Sequence, residues 1–157
     1  MTTLTLVRHA KSDWGSPGLD DHDRPLNERG QRDAPAMAQR LAASGTPVDR
    51  LLASTALRAR TTAAAFGTAL GRKPELRDEL YGASARVLLD AAAGSGVSSV
   101  LIVAHDPGMT VLAERLSGGG IAHMPTCAVA TFTWSTDDWD VATAIDPDDW
   151  SFDSPKS

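Results

Sequence analysis

Two short apolar runs in this chain of 157 residues end on histidine: residues 4–7 lead into Arg8-His9, and residues 100–104 lead into His105. Runs of this length, bounded by polar residues and separated by stretches of helical spacing, mark the buried strands of an α/β fold. In a parallel sheet the carboxyl ends of the strands border the ligand crevice. Both imidazoles are therefore expected on that rim, one beside a guanidinium, where an anionic group would be held.

Further apolar runs at residues 51–53 and 129–134 complete a mainly parallel sheet. Covered on both faces by helices, it gives a three-layer αβα sandwich. Asn27 is placed to cap a helix over 27–44 that buries Ala34, Met37, Ala38 and Leu41, with Pro35 early in it and Gly45 beyond its end. Helices are expected over 56–70, closed by Gly71, and over 84–94, which presents Val87, Leu88 and Ala91. Another opens at Pro107 and stops at Gly118-Gly119-Gly120. Strands over 128–134 and 140–145, joined around Asp137-Asp138, give the sheet an antiparallel edge strand. The domain is read as 1–146, and 147–157 as an acidic C-terminal tail, loosely held and partly pinned by Trp150 and Phe152.

Apolar residues make up 42% and charged residues 22% of the chain, a globular balance without a bilayer-spanning stretch. The N-terminus lacks the basic head and apolar core of a secretory signal. The single cysteine, Cys127, excludes an internal disulfide and reads as a small buried residue, in keeping with a reducing cytoplasm. The net charge is -5, yet residues 1–60 carry 9 Lys/Arg against 7 Asp/Glu. An acidic whole without a basic stripe excludes nucleic acid as a partner, and a local basic pocket suits a small anion.

A phosphoryl group in transit carries negative charge on its equatorial oxygens and needs fixed donors around it with a nucleophile in line. Arg8 and Arg58 each offer a planar fork that stays charged. His105 is expected to add a third positive donor. At roughly 4 Å and an effective dielectric of about 20, each such charge pair is worth about 4 kcal/mol before desolvation. His9 is the natural nucleophile, its lone pair kept free by the nearby cations. The scheme uses no metal and no cofactor.

These residues resemble the histidine phosphatase superfamily, the phosphoglycerate mutase-like family. The resemblance rests on Arg8-His9-Ala10, extended by Lys11-Ser12-Asp13-Trp14, and on Arg24-Pro25-Leu26-Asn27-Glu28-Arg29-Gly30. It continues in the segment from Ser54 through Arg58 to Ala63 and in Val103-Ala104-His105-Asp106-Pro107-Gly108, so that it covers residues 3–117. Thr55 stands where many members have proline. The resemblance implies a phosphoglycerate mutase-like fold, His9 as phosphoacceptor, and Arg8, Arg58 and His105 as the phosphate pocket. The short length, the Arg-Pro-Leu segment and Glu79-Leu80-Tyr81 resemble the small phosphohistidine phosphatase branch, the SixA type. Larger relatives place a glutamate general acid shortly before a Tyr/Phe-Gly pair. Here Glu79 and Asp78 precede Tyr81-Gly82, and an acidic loop at Asp20, Asp21 and Asp23 offers alternatives.

Other residues keep two readings. Arg24 pairs with an acid or leans into the pocket as an extra cation, Ser54 bonds into the pocket or ends its strand, and Lys11 and Ser12 are rim residues. His22 and His123 read as loop residues. The expected activity is a phosphatase with a covalent phosphohistidine intermediate, acting most readily on phosphohistidine because a protonated imidazole leaves easily. The alternatives are a small-molecule phosphomonoesterase on the same site and a non-catalytic phosphate-binding module. The expected partner is a phosphorylated protein or small phosphorylated substrate, met by a monomer away from membranes.

Overall fold

A computed structural model describes residues 1–156. Its strands are β1 (Thr2–Arg8), β2 (Arg50–Ser54), β3 (Pro74–Arg77), β4 (Ser99–Ala104), β5 (Val129–Trp134) and β6 (Asp149–Asp153). They form one sheet in the order β3-β2-β4-β1-β5-β6. The pairs β3·β2, β2·β4 and β4·β1 are parallel, while β5 runs antiparallel to both β1 and β6.

Side chains on the interior strands alternate between two cores, as the two-residue period of a strand requires. Val7, Leu51, Leu101 and Val103 face one layer of helices, α1 (Glu28–Ala43) and α2 (Leu57–Leu70), through Met37, Leu41, Ala63 and Phe66. Leu4, Leu6, Leu52 and Ile102 face the other, α3 (Ala85–Ala93) and α4 (Gly108–Leu116), through Leu88, Met109 and Leu112. Both faces of the sheet are thus covered, which is why the interior strands read as unbroken apolar runs.

The helix signals act as expected. The Asn27 side chain accepts a hydrogen bond from the Gly30 amide at 2.9 Å, and Gly71 ends α2 in the left-handed conformation at φ 68°. Ser84 caps α3 by accepting from the Val87 amide. Pro35 lies inside α1. Glycine is required at position 30 for a different reason: a Cβ there would lie 2.2 Å from the Lys11 carbonyl oxygen. This contact seats the start of α1 on the segment that follows His9.

The C-terminal part departs from the expectation. The sheet's last strand is β6, not residues 140–145, and those residues lie in and after a short helix, α5 (Trp139–Ala142). Trp139 is buried against Trp134, with ring centroids 6.2 Å apart, and its indole N–H donates to the Val97 carbonyl. A tryptophan anchored this way turns the chain inward where a hairpin would have run on. The segment read as a loosely held tail contains a strand, paired to β5 from Asp149 to Asp153. β3 was not foreseen, because Pro-Glu-Leu-Arg on a half-buried edge carries no apolar pattern. Among the described residues no helix is long and apolar enough to cross a membrane.

Candidate active site

Register brings the histidines together. Arg8 of β1 lies opposite Ala104 of β4, so His9 and His105 leave adjacent parallel strands at the same level. Their ring centroids are 5.1 Å apart. Ala53 of β2 pairs with Val103, which sets Ser54 next to the same edge. Arg58 follows in the first turn of α2. The resulting cleft, about 250 Å³, is lined by Arg8, His9, Arg58 and His105 together with Asp21 and Asp106.

His9 is 7% exposed and bonded through Nδ1 to the carbonyl oxygen of Ala10 at 2.8 Å. A carbonyl only accepts, so Nδ1 carries the hydrogen and Nε2 keeps its lone pair. The backbone here is tied down on all sides: the His9 amide donates to Ala104, and the Cys127 amide donates to the carbonyls of Arg8 and His9. Cys127 itself is buried in the left-handed region at φ 62°, and burial pushes its thiol up to about 12. The Ala10 amide donates to Thr62 Oγ1, which in turn donates to the Arg58 carbonyl, joining the nucleophile's loop to α2.

The His9 imidazole is lowered to about 4, first by burial and then by Arg58 and Arg8, against the opposing hydrogen bond to Ala10. The cations therefore contribute as expected, but desolvation leads. In the free protein His105 does not carry the positive charge expected of it beside phosphate. Burial, His9 and Arg58 hold it down to about 3, so it is neutral in the free protein. Its Nε2 lies 2.8 Å from Ser54 Oγ, and the Ser54 oxygen accepts from the Ala56 amide, which leaves its hydroxyl hydrogen free to be donated to Nε2. Ser54 is fully buried and acts on His105, with no place among the cleft-lining residues.

The two arginines are anchored differently. Arg8 donates from Nη1 to the Met124 carbonyl at 2.9 Å and lies 3.4 Å from Asp106 Oδ2. Among the described residues its buried Nε, like His105 Nδ1, has no hydrogen-bond partner. Arg58 donates to Asp21 twice, from Nη1 to the backbone carbonyl at 2.6 Å and from Nη2 to Oδ2 at 2.9 Å. Asp21 Oδ2 also accepts from the Tyr81 hydroxyl at 2.6 Å. Tyr81 and Arg58 together hold the Asp21 carboxyl below its usual range.

Two further expected site residues fall outside the cleft. Glu79 is exposed on the 3-10 turn Asp78–Leu80, 3.5 Å from Arg77, and neither it nor Asp78 lines the cleft. The turn directs Leu80 into the core, and that carries Glu79 out toward solvent. Arg24 supports the wall of the cleft instead of lining it: its guanidinium sits 4.2 Å over the Trp14 ring and donates to the Ser16 and Leu19 carbonyls. Lys11 and Ser12 do line it, Lys11 exposed and Ser12 buried with its Oγ accepting from the Trp14 indole N–H. His22 is held by Thr55 Oγ1, and His123 is exposed at 3.9 Å from Asp106.

Asp106, Thr62 and Tyr81 were missed. Asp106 had a signal: an aspartate before proline at a helix start, whose oxygens here accept from the amide and hydroxyl of Thr110. Thr62 stands four residues after Arg58, which places both on one face of α2. Tyr81 reaches Asp21 across 60 residues of sequence, a contact without a local signature.

The layered sheet and the histidine-bearing strand ends define a phosphoglycerate mutase-like α/β protein. Residues 4–85 match the histidine phosphatase superfamily (branch 1). An uncharacterized protein of Mycobacterium tuberculosis is 38% identical over 113 residues, 71% of this chain and 70% of that one. The crystal structure of a candidate phosphohistidine phosphatase SixA from Agrobacterium tumefaciens superposes with a TM-score of 0.83 at 31% identity, covering 98% of each chain. A counterpart from Nakamurella multipartitia gives 0.83 at 27% identity, over 99% of this chain and 97% of its own. The chain belongs to the histidine phosphatase superfamily, in its SixA-type branch.

Proposed function

We propose that this chain is a phosphohistidine phosphatase that works through a covalent phosphoryl group on His9. The observation that carries the reading is the His9 imidazole: Nδ1 is committed to the Ala10 carbonyl and the ring is neutral, so Nε2 keeps a lone pair in a cleft that Arg8 and Arg58 also line. A neutral imidazole nitrogen attacks phosphorus, and cations that gather the equatorial oxygens stabilise the charge that develops. The buried and unpartnered Arg8 Nε and His105 Nδ1 support an oxyanion as the natural guest, since a buried donor left unpaired costs about 1–3 kcal/mol. Phosphate would also draw a proton onto His105, because its negative charge opposes the burial and the Arg58 charge that now keep the ring neutral.

A protein-borne substrate is supported by the mouth of the cleft. It opens beside Lys11 and Trp14, both exposed, and Trp14 retains 59% of its surface. The relatives named as SixA-type proteins point to the same substrate class.

Incubation with a phosphohistidine-bearing protein, a sugar phosphate and an aryl phosphate tests the reading through turnover and quenched mass spectra. The expected result is fastest loss of phosphohistidine with a phosphoryl adduct mapped to His9, and loss of adduct and turnover in His9→Ala. Ester hydrolysis without phosphohistidine loss identifies a phosphomonoesterase. Binding without adduct or turnover identifies a phosphate-binding module.

A further inference from the structure

Two carboxylates line the cleft, and only one has an oxygen to spare. Asp106 is fully engaged: Oδ1 accepts from the Thr110 amide and hydroxyl, and Oδ2 accepts from the same hydroxyl and lies 3.4 Å from Arg8. Its role is to cap α4 and brace Arg8. Asp21 uses Oδ2 for both Arg58 and Tyr81, and among the described residues its Oδ1 has no hydrogen-bond partner. Asp21 also sits on the loop side of the cleft, with its side chain 45% exposed.

The geometry points to Asp21 as the proton-carrying catalytic residue of this cleft, with Tyr81 as the positioning residue that holds it there. This assignment rests on the reading of His9 as phosphoacceptor. In the free protein the Asp21 carboxylate occupies the arginine fork that a phosphoryl group needs. When phosphate oxygens take Arg58, Asp21 loses its cation and gains an anion for a neighbour. Both changes favour the protonated carboxyl. The remaining titratable groups facing it, Tyr81 and His105, act in the opposite sense, through a hydrogen bond to the carboxylate and a ring that phosphate makes cationic. Tyr81 is itself fixed in place, its ring edge-on to His22 at 5.0 Å and to His105 at 5.5 Å.

The steps balance. The substrate arrives as a phosphate monoanion and gives its proton to Asp21. His9 Nε2 forms a bond to phosphorus while the bond from phosphorus to the leaving oxygen or nitrogen breaks. That leaving atom takes the proton from Asp21. Water then attacks the phosphohistidine and gives a proton to the Asp21 carboxylate as the bond from phosphorus to Nε2 breaks; the imidazole is left neutral, and Asp21 passes that proton to the departing orthophosphate, which leaves as the monoanion and restores the carboxylate.

A general acid matters most where the leaving group is poor. Wild type and Asp21→Asn are therefore compared in single turnovers on phenyl phosphate, 4-nitrophenyl phosphate and acetyl phosphate. The expected loss is about 100-fold on phenyl phosphate, less on 4-nitrophenyl phosphate, and under about 5-fold on acetyl phosphate. Tyr81→Phe keeps the carboxylate and is expected to lose about 10-fold on phenyl phosphate, with the same ranking. Asp21→Asn is also expected to bind inorganic phosphate at least as tightly as wild type, because Arg58 has lost a competing anion. Equal losses on all three substrates, no loss on phenyl phosphate, or phosphate binding lost together with activity would each overturn the assignment of Asp21 alone. A wild-type protein that never labels His9 overturns the phosphatase reading and Asp21's role with it.

Discussion

His9, Ser54 and His105 stand on the ends of three hydrogen-bonded strands and are no more than 7% exposed, whereas Trp14, Asp21 and Arg24 belong to a loop whose side chains reach solvent. The first group is held by ladder registers and backbone bonds that the fold supplies in any case. The second is held by side-chain contacts: an indole on Ser12, a guanidinium on Trp14, a carboxylate on Arg58 and Tyr81. The difference matches two chemical demands. Phosphoryl oxygens have one geometry, which rewards donors fixed in advance. Leaving groups differ from substrate to substrate and must enter and depart, so the wall that meets them is built on a loop.

That contrast can be broken at its strongest point with Arg58→Gln, which removes a fixed cation from the floor. The expected loss in kcat/KM is about 100- to 1000-fold on every phosphorylated substrate. A loss under about 10-fold would show that the floor is not where transition-state charge is held.

Acid should loosen the floor before it affects the loop. His9 is lowered to about 4 and His105 to about 3, from an ordinary value of 6.5. Between these values the unfolded chain takes up protons that the folded chain refuses, so stability is fully present above pH 6.5 and is lost as pH falls. Melting temperatures of wild type and His9→Gln, recorded from pH 7 to 4, are expected to converge toward acid. Parallel curves would mean that His9 is not kept neutral by folding.

A smaller effect is expected from Ser54→Ala, which leaves a buried His105 nitrogen without its partner and is expected to cost about 10-fold in kcat. Removal of the hydroxyl without effect would mean that packing alone orients His105. Smallest of all is Glu79→Gln: an exposed carboxylate outside the cleft, paired with Arg77 on the surface, should leave kcat/KM within about 2-fold of wild type. A large loss there would move the proton-carrying role away from Asp21.

Reading along the chain is most secure where a signal is local. The strands that became β1, β2, β4 and β5 are short apolar runs, and α1 is bounded by an asparagine cap and a glycine. Arg8, His9 and His105 were legible because each directly follows or ends such a run, and Arg58 because it opens the helix after β2. Glu79 failed as a site residue because nearness to Tyr81 in sequence says nothing about which side chain a 3-10 turn directs inward. The strand placed at 140–145 failed because Trp139 found a partner in Trp134 and a carbonyl at Val97, contacts that outweigh the alternation of a short segment.

What the sequence determined by itself was a two-faced sheet and the set of groups delivered to its carboxyl edge, since both follow from hydrophobic period and from caps within a few residues. Tertiary structure alone decided that β6 closes the sheet, that His105 is neutral as well as His9, and that Asp21 meets Arg58 across 37 positions. Burial and through-space charge set proton affinities, and edge pairing depends on a neighbour supplied by distant chain. Neither leaves a periodic trace in the residues concerned.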